Sequence, residues 1–183
     1  MICNLILATL TAAATCGATH AAATLDRFGL ISYKTAAHSG SPIGPIASGV
    51  GVSLTPAQGT MSIGDPYALT IEVRNVSSSD VAIYSPEDPC SYKYRITDVS
   101  SKRSWTYSQY DQGVCLVFGD APGRLAPNTS LFLTAAFKGL DAQLSTPGVY
   151  EVCVSAIRWI PSGSSTAEFL NVTSNIVEID ATG

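Results

Sequence analysis

Histidine is nearly missing from this sequence: His20 and His38 are the two that occur in 183 residues. Nucleophilic triads and dyads need an imidazole held rigidly against the attacking group, and both histidines fall in N-terminal text without a regular pattern. The spaced motifs of zinc proteases, α/β-hydrolases and nucleotide-binding loops are absent as well. A small hydrolase working with carboxylates alone, through a loop acid such as Asp111 or Asp120, is the remaining catalytic reading. Solvated loop acids are the simpler account of those residues, so no enzyme activity and no cofactor are expected. Charge is scarce too, at 13% of residues, which excludes a coiled coil and a disordered chain. Ten basic residues against fourteen acidic ones give a net charge of −4. The basic residues are scattered, with one short pair in "SKR" (Ser101 to Arg103), so nucleic acid is not an expected partner. No apolar run reaches the roughly 20 residues that a membrane-spanning helix requires.

The longest apolar run, Ile2 to Ala14, has the length of a secretory signal core and is followed by small residues. Residues 1–21 therefore read as a signal segment with cleavage near Ala21, and the expected location is secreted or in the periplasm and cell envelope. "AAATCG" around Cys16 offers a second reading, a lipid anchor on that cysteine. Residues 22–48 read as a linker rich in Gly, Pro and Ser, with one short strand in "RFGLISYKT".

From residue 49 to 181 the period is two, the signature of strands with one buried face. Val50, Val52 and Leu54 fall on one face; so do Leu69, Ile71 and Val73, with Thr70, Glu72 and Arg74 opposite them. "YKYRITD", "SWTYS", "VCLVF", "TSLFLTAAF", "VYEVCVSAI" and "AEFLNVTSNIVEID" continue the rhythm. In "VYEVCVSAI", Tyr150, Val152, Val154 and Ala156 share a face. Seven to nine short strands separated by turns point to an all-β fold, an immunoglobulin-like antiparallel β-sandwich.

"YALTIEVRNVSSSDVAIYS", "YKYRITDVSSKRSW", "LAPNTS" and "PGVYEV" follow one another in an order that resembles the domain of BsuPI-type proteinase inhibitors, over roughly residues 50 to 157. The resemblance implies the same sandwich fold. It also implies inhibition of a proteinase, with the loop from Ser108 to Arg124 as the segment that would make the contact.

Removal of residues 1–21 would leave Cys90, Cys115 and Cys153. If "YKYRITD" and "SWTYS" form a hairpin around "VSSKR", Cys90 falls opposite residue 111, and Cys115 lies a few positions further on. A Cys90–Cys115 bridge is the favoured pairing, stabilising by about 3 kcal/mol through loop closure. Cys90–Cys153 and Cys115–Cys153 stay open. The odd thiol, Cys153 in the favoured pairing, is either free or joined to a second chain as a disulfide-linked dimer. Asp80, Glu87 and Asp88 are near one another, but lack the spacing of a calcium loop, and the cysteines lack that of a zinc site; no metal is expected. Asn75, Asn128 and Asn171 are glycosylation sequons. Trp105 reads as core. Tyr110 and Asp111, just outside a strand, are the candidate contact loop. The function expected is a non-catalytic binding module with a protein partner.

Overall fold

The computed structural model describes residues 23–25, 31–33, 42–65, 67–84, 90–113, 115, 122–137 and 143–183. The signal segment 1–21 with Cys16 and His20, and also His38, Glu87, Asp88 and Asp120, lie outside them.

Alternating burial builds a small sheet first. In β5 (Tyr67–Asn75), Tyr67, Leu69, Ile71 and Val73 are buried. β3 (Val50–Pro56) pairs antiparallel along one edge of β5, and β10 (Ser130–Phe137) along the other. The second sheet is organised by β11 (Gly148–Ile160), which takes partners on both edges. β7 (Tyr92–Asp98) and β6 (Val81–Ile83) share one edge; β13 (Val177–Thr182) and β12 (Glu168–Asn171) share the other. β8 (Ser104–Tyr107) pairs with β7, and β9 (Gly123–Leu125) pairs with β6. β4 (Thr60–Ser62) runs parallel to β13, β2 (Ile31–Tyr33) parallel to β9, and β1 (Ala23–Leu25) pairs with β2.

Val52, Leu54, Ile71 and Leu131 from the small sheet form one cluster with Tyr94, Ile96, Val152, Val154 and Ile179 from the large one. Two facing sheets with a shared apolar interior make a β-sandwich. Two details make it immunoglobulin-like. The chain crosses from the small sheet to the large one between β3 and β4, so its first part contributes to both. The Tyr150 hydroxyl, near the start of β11, donates at 2.9 Å to the carbonyl of Thr146, four residues upstream, which is the tyrosine corner of such domains.

Several expectations need correction. Thirteen strands occur among the described residues rather than seven to nine. Five of them (β1, β2, β4, β6 and β9) have three residues each, too few for a period of two to register. Two pairings are parallel, so the sandwich is not purely antiparallel. The segment read as a linker contains β2, within "RFGLISYKT", and β1 as well. Packing also begins before residue 49: Gly44 N–H donates to the Val52 carbonyl, and Ala47 bridges to Val50. A Cβ on Gly44 would collide with the Thr173 carbonyl. Glu72, on the face opposite Leu69, Ile71 and Val73, is nevertheless 1% exposed. It accepts from the Ser130 hydroxyl and from Arg74, both at 2.8 Å, which offsets the cost of burying its charge. Trp105 is half-buried against the core, and its indole N–H donates to Gln143 Oε1.

The hairpin of β7 and β8 pairs Thr97 with Ser104 and Tyr94 with Tyr107. Its turn is held by Asp98, whose carboxylate accepts from the hydroxyls and backbone amides of Ser100 and Ser101. Those hydrogen bonds, Ser100 first, hold the Asp98 carboxyl at about 2, below its ordinary 3.8.

The two sheets are also tied by a side-chain amide. Leu54 N–H donates to Asn175 Oδ1, and Asn175 Nδ2 donates back to the Leu54 carbonyl, each at 2.8 Å. Asn175 lies between β12 and β13 and acts toward β3 as a strand residue would, satisfying both groups of one backbone position. Replacing Asn175 with Ala leaves the Leu54 donor and acceptor without these partners. We expect a loss of about 1–3 kcal/mol in a urea melt; an unchanged midpoint would show that the amide does not hold the strand.

Candidate functional site

The hairpin register places residue 90 opposite residue 111, and Cys90 is disulfide-bonded to Cys115 with Cα atoms 6.0 Å apart. The bridge closes the end of the hairpin, as the spacing implied. It encloses the turn at 108–113, in which Gly113 N–H donates to the Tyr110 carbonyl and Asp111 N–H to the Ser108 hydroxyl. Gly113 has φ +68°, the left-handed region that favours glycine.

That turn lies on the outer face of the large sheet. Tyr110 is 45% exposed and meets Phe169 of β12 edge to face at 5.2 Å. Lys93 of β7 places Nζ 2.8 Å from both Asp111 carboxylate oxygens and 4.4 Å from the Phe169 ring centroid. Arg158 of β11 sets its guanidinium 4.2 Å from the Tyr84 ring centroid and 5.4 Å from that of Tyr110. Cation–π contacts at such exposed sites contribute about 0.5–1 kcal/mol each, and the exposed Lys93–Asp111 pair at most ~1 kcal/mol. Arg158 is held in place over the two rings, and among the described residues its planar fork of donors has no carboxylate partner.

Arg158 reaches this face because of a bulge. β11 pairs with β7 in register from Tyr150 to Val154 and then slips by one residue before Ala156. Tyr150, Val152 and Val154 face the core. After the slip, Ile157 joins the core and Trp159 packs against it, so Arg158 is turned outward. A sequence reading that continued the alternation through Ala156 missed Arg158, and it also missed Tyr84, Lys93 and Phe169. The weak signal available was a cation set among aromatics in neighbouring strands.

The other candidate residues do not join this face. Cys153 is free and 2% exposed, which leaves its sulfur no reach to a second chain and removes it as the linker of a disulfide dimer. Asn75 is fully buried, and its amide donates to the carbonyls of Ser79 and Leu125 at 2.8 Å; a glycan has no room there. Asn128, with φ +57°, is exposed in the turn before β10, and Asn171 is exposed at the end of β12. Asp80 stands 3.8 Å from Arg124. Among the described residues no three or more His, Cys, Asp or Glu side chains converge as a metal site would require. No helix among them is long and apolar enough to cross a membrane.

No family model matches the chain, and no curated protein matches it. Among solved structures, a Northeast Structural Genomics Consortium target, SoR45, is 14% identical over 76% of this chain and 92% of that one, with a TM-score of 0.42. A β-glucosidase from Listeria innocua is 13% identical over 72% of this chain, with a TM-score of 0.39. This chain spans 16% of that enzyme. At these scores the likenesses carry no argument about function.

Reduction of the disulfide tests the turn's dependence on it. Amide exchange in residues 108–113 should accelerate by at least tenfold in a Cys90→Ser, Cys115→Ser double variant, while β5 and β11 keep their protection. Equal protection at 108–113 would mean that the turn is held without the bridge.

Proposed function

We propose that this protein is an exported, non-catalytic binding module of the cell envelope or extracellular space, engaging a protein partner through the outer face of its large sheet. The observation that carries this reading is Arg158: positioned over Tyr84 and Tyr110, without a carboxylate of its own among the described residues. Tyr and Arg are the residue types over-represented among the few that dominate binding energy at protein interfaces. Tyr110, Phe169 and the stem of Lys93 supply apolar contact around the guanidinium. Pre-positioning by the Cys90–Cys115 bridge lowers the ordering cost of association. A disulfide also suits an oxidising compartment, in accord with the signal-like first 21 residues. Attachment of lipid at Cys16 would place the same module on a membrane surface.

The inhibitor reading, which rests on resemblance, would use the same turn at 108–113 against a proteinase. The two are separated by what the face captures. In affinity capture from native envelope and culture extracts, we expect a partner retained by the wild-type protein and lost with both Arg158→Ala and Tyr110→Ala. Each variant should weaken the purified complex by tenfold or more, about 1.4 kcal/mol. Retention of the same partner by both variants would contradict the assignment of this face. Inhibition of a purified protease, abolished by the same substitutions, would favour the inhibitor.

A further inference from the structure

A cleft of about 520 Å³ lies at one end of the sandwich, between the turn after β5, the strands β6 and β9, and the turn joining β11 to β12. Its volume is that of a small-molecule site. Trp159 and Ile160 form an apolar part of the lining. Ser48, Ser79, Asp80, Arg124 and Ser162 supply polar groups around it. Asp80 and Arg124 approach to 3.8 Å, beyond hydrogen-bond length. No hydrogen bond to another described residue engages the side chain of Ser48, Asp80, Arg124 or Ser162. Among the described residues these groups therefore keep hydrogen-bonding capacity at the lining of the cleft.

The chemistry of the lining selects among ligand classes. A free anion would meet the Asp80 carboxylate beside Arg124, and a cation would meet the guanidinium, so the pair disfavours both. A purely apolar ligand would strip water from several hydroxyls, a carboxylate and a guanidinium without replacing their hydrogen bonds. A neutral, hydroxyl-rich ligand avoids each penalty. Adjacent hydroxyls donate to Asp80 and accept from Arg124, while serine hydroxyls serve either role. The C–H face of a pyranose ring lies against an aromatic or aliphatic surface, which Trp159 and Ile160 provide.

We propose that this cleft binds a saccharide, with Asp80 and Arg124 engaging a vicinal diol and Trp159 packing against the sugar ring. Neither Arg158 nor Tyr110 lines this cleft, and the proposal stands whether or not the outer face binds a protein.

The test is an amide and indole NMR titration of the full-length protein with cellobiose, maltose, N,N′-diacetylchitobiose and methyl α-mannoside. Inorganic phosphate serves as the anion control. With at least one sugar we expect saturable shifts confined to residues 48, 79–82, 124, 160–164 and the Trp159 indole. Asp80→Asn and Arg124→Gln, both at solvent-exposed positions, should each weaken that binding tenfold or more without altering the rest of the spectrum. The proposal is overturned if none of the four sugars shifts these signals at about 10 mM, tenfold above a millimolar affinity. It is equally overturned if the shifts persist unchanged in both variants, or if phosphate alone produces them.

Discussion

Between Val154 and Ala156 the pairing of β11 with β7 slips by one residue, and both surface features of the molecule depend on that slip. A strand alternates sides strictly, so one inserted residue exchanges the faces of everything after it. Without the slip Arg158 would share the face of Tyr150, Val152 and Val154, inside the sandwich, where an unpaired guanidinium is prohibitively costly. With it, Ile157 completes the core, Trp159 packs against the core beside the end cleft, and Arg158 stands outside among aromatic rings. The slip is held by the neighbours of β11. Ser174 accepts the Val154 N–H on its hydroxyl at 2.9 Å, and its own N–H donates to the Val154 carbonyl. Arg158 N–H donates to the Ser91 carbonyl, and its carbonyl accepts from Tyr84 N–H.

Around this strand the sandwich is secured at three separate places, two by hydrogen bonds from side chains to the backbone and one by a disulfide. Tyr150 ties the start of β11 to the loop before it. Asn175 joins β3 of the small sheet to the segment between β12 and β13 of the large one. The Cys90–Cys115 bridge closes the end of the β7–β8 hairpin and brings the turn at 108–113 under the same constraint as the strands. A rigid scaffold presenting short loops is a suitable base for recognition. Here the two candidate surfaces sit on one scaffold strand rather than on one loop.

Much of the interior was legible in the sequence. The alternation of Val50, Val52 and Leu54, and of Leu69, Ile71 and Val73, is that of residues buried from one side. The disulfide was the favoured of three pairings in the sequence, because a hairpin around "VSSKR" brings residue 90 near Cys115. Tyr110 was legible as an exposed aromatic, since an aromatic just beyond a strand has no core to enter. Arg158 was not: a bulge among small residues such as Ser155 and Ala156 leaves no mark in composition, and parity assigned from Tyr150 onward fails beyond it. Three-residue strands such as β6 and β9 were equally silent, although they carry Ala82 and Arg124 into the cleft. The burial of Glu72 depends on Ser130, distant in sequence and visible only once β10 is placed beside β5.

The outward placement of Arg158 is most directly tested by the ring-current shifts of its side-chain protons in solution. Stacking over Tyr84 and Tyr110 should move the Arg158 δ and ε protons upfield of their unstructured values, and Tyr110→Ala should reverse part of that displacement. Unshifted resonances in the intact, oxidised protein would contradict the bulge as the origin of this face.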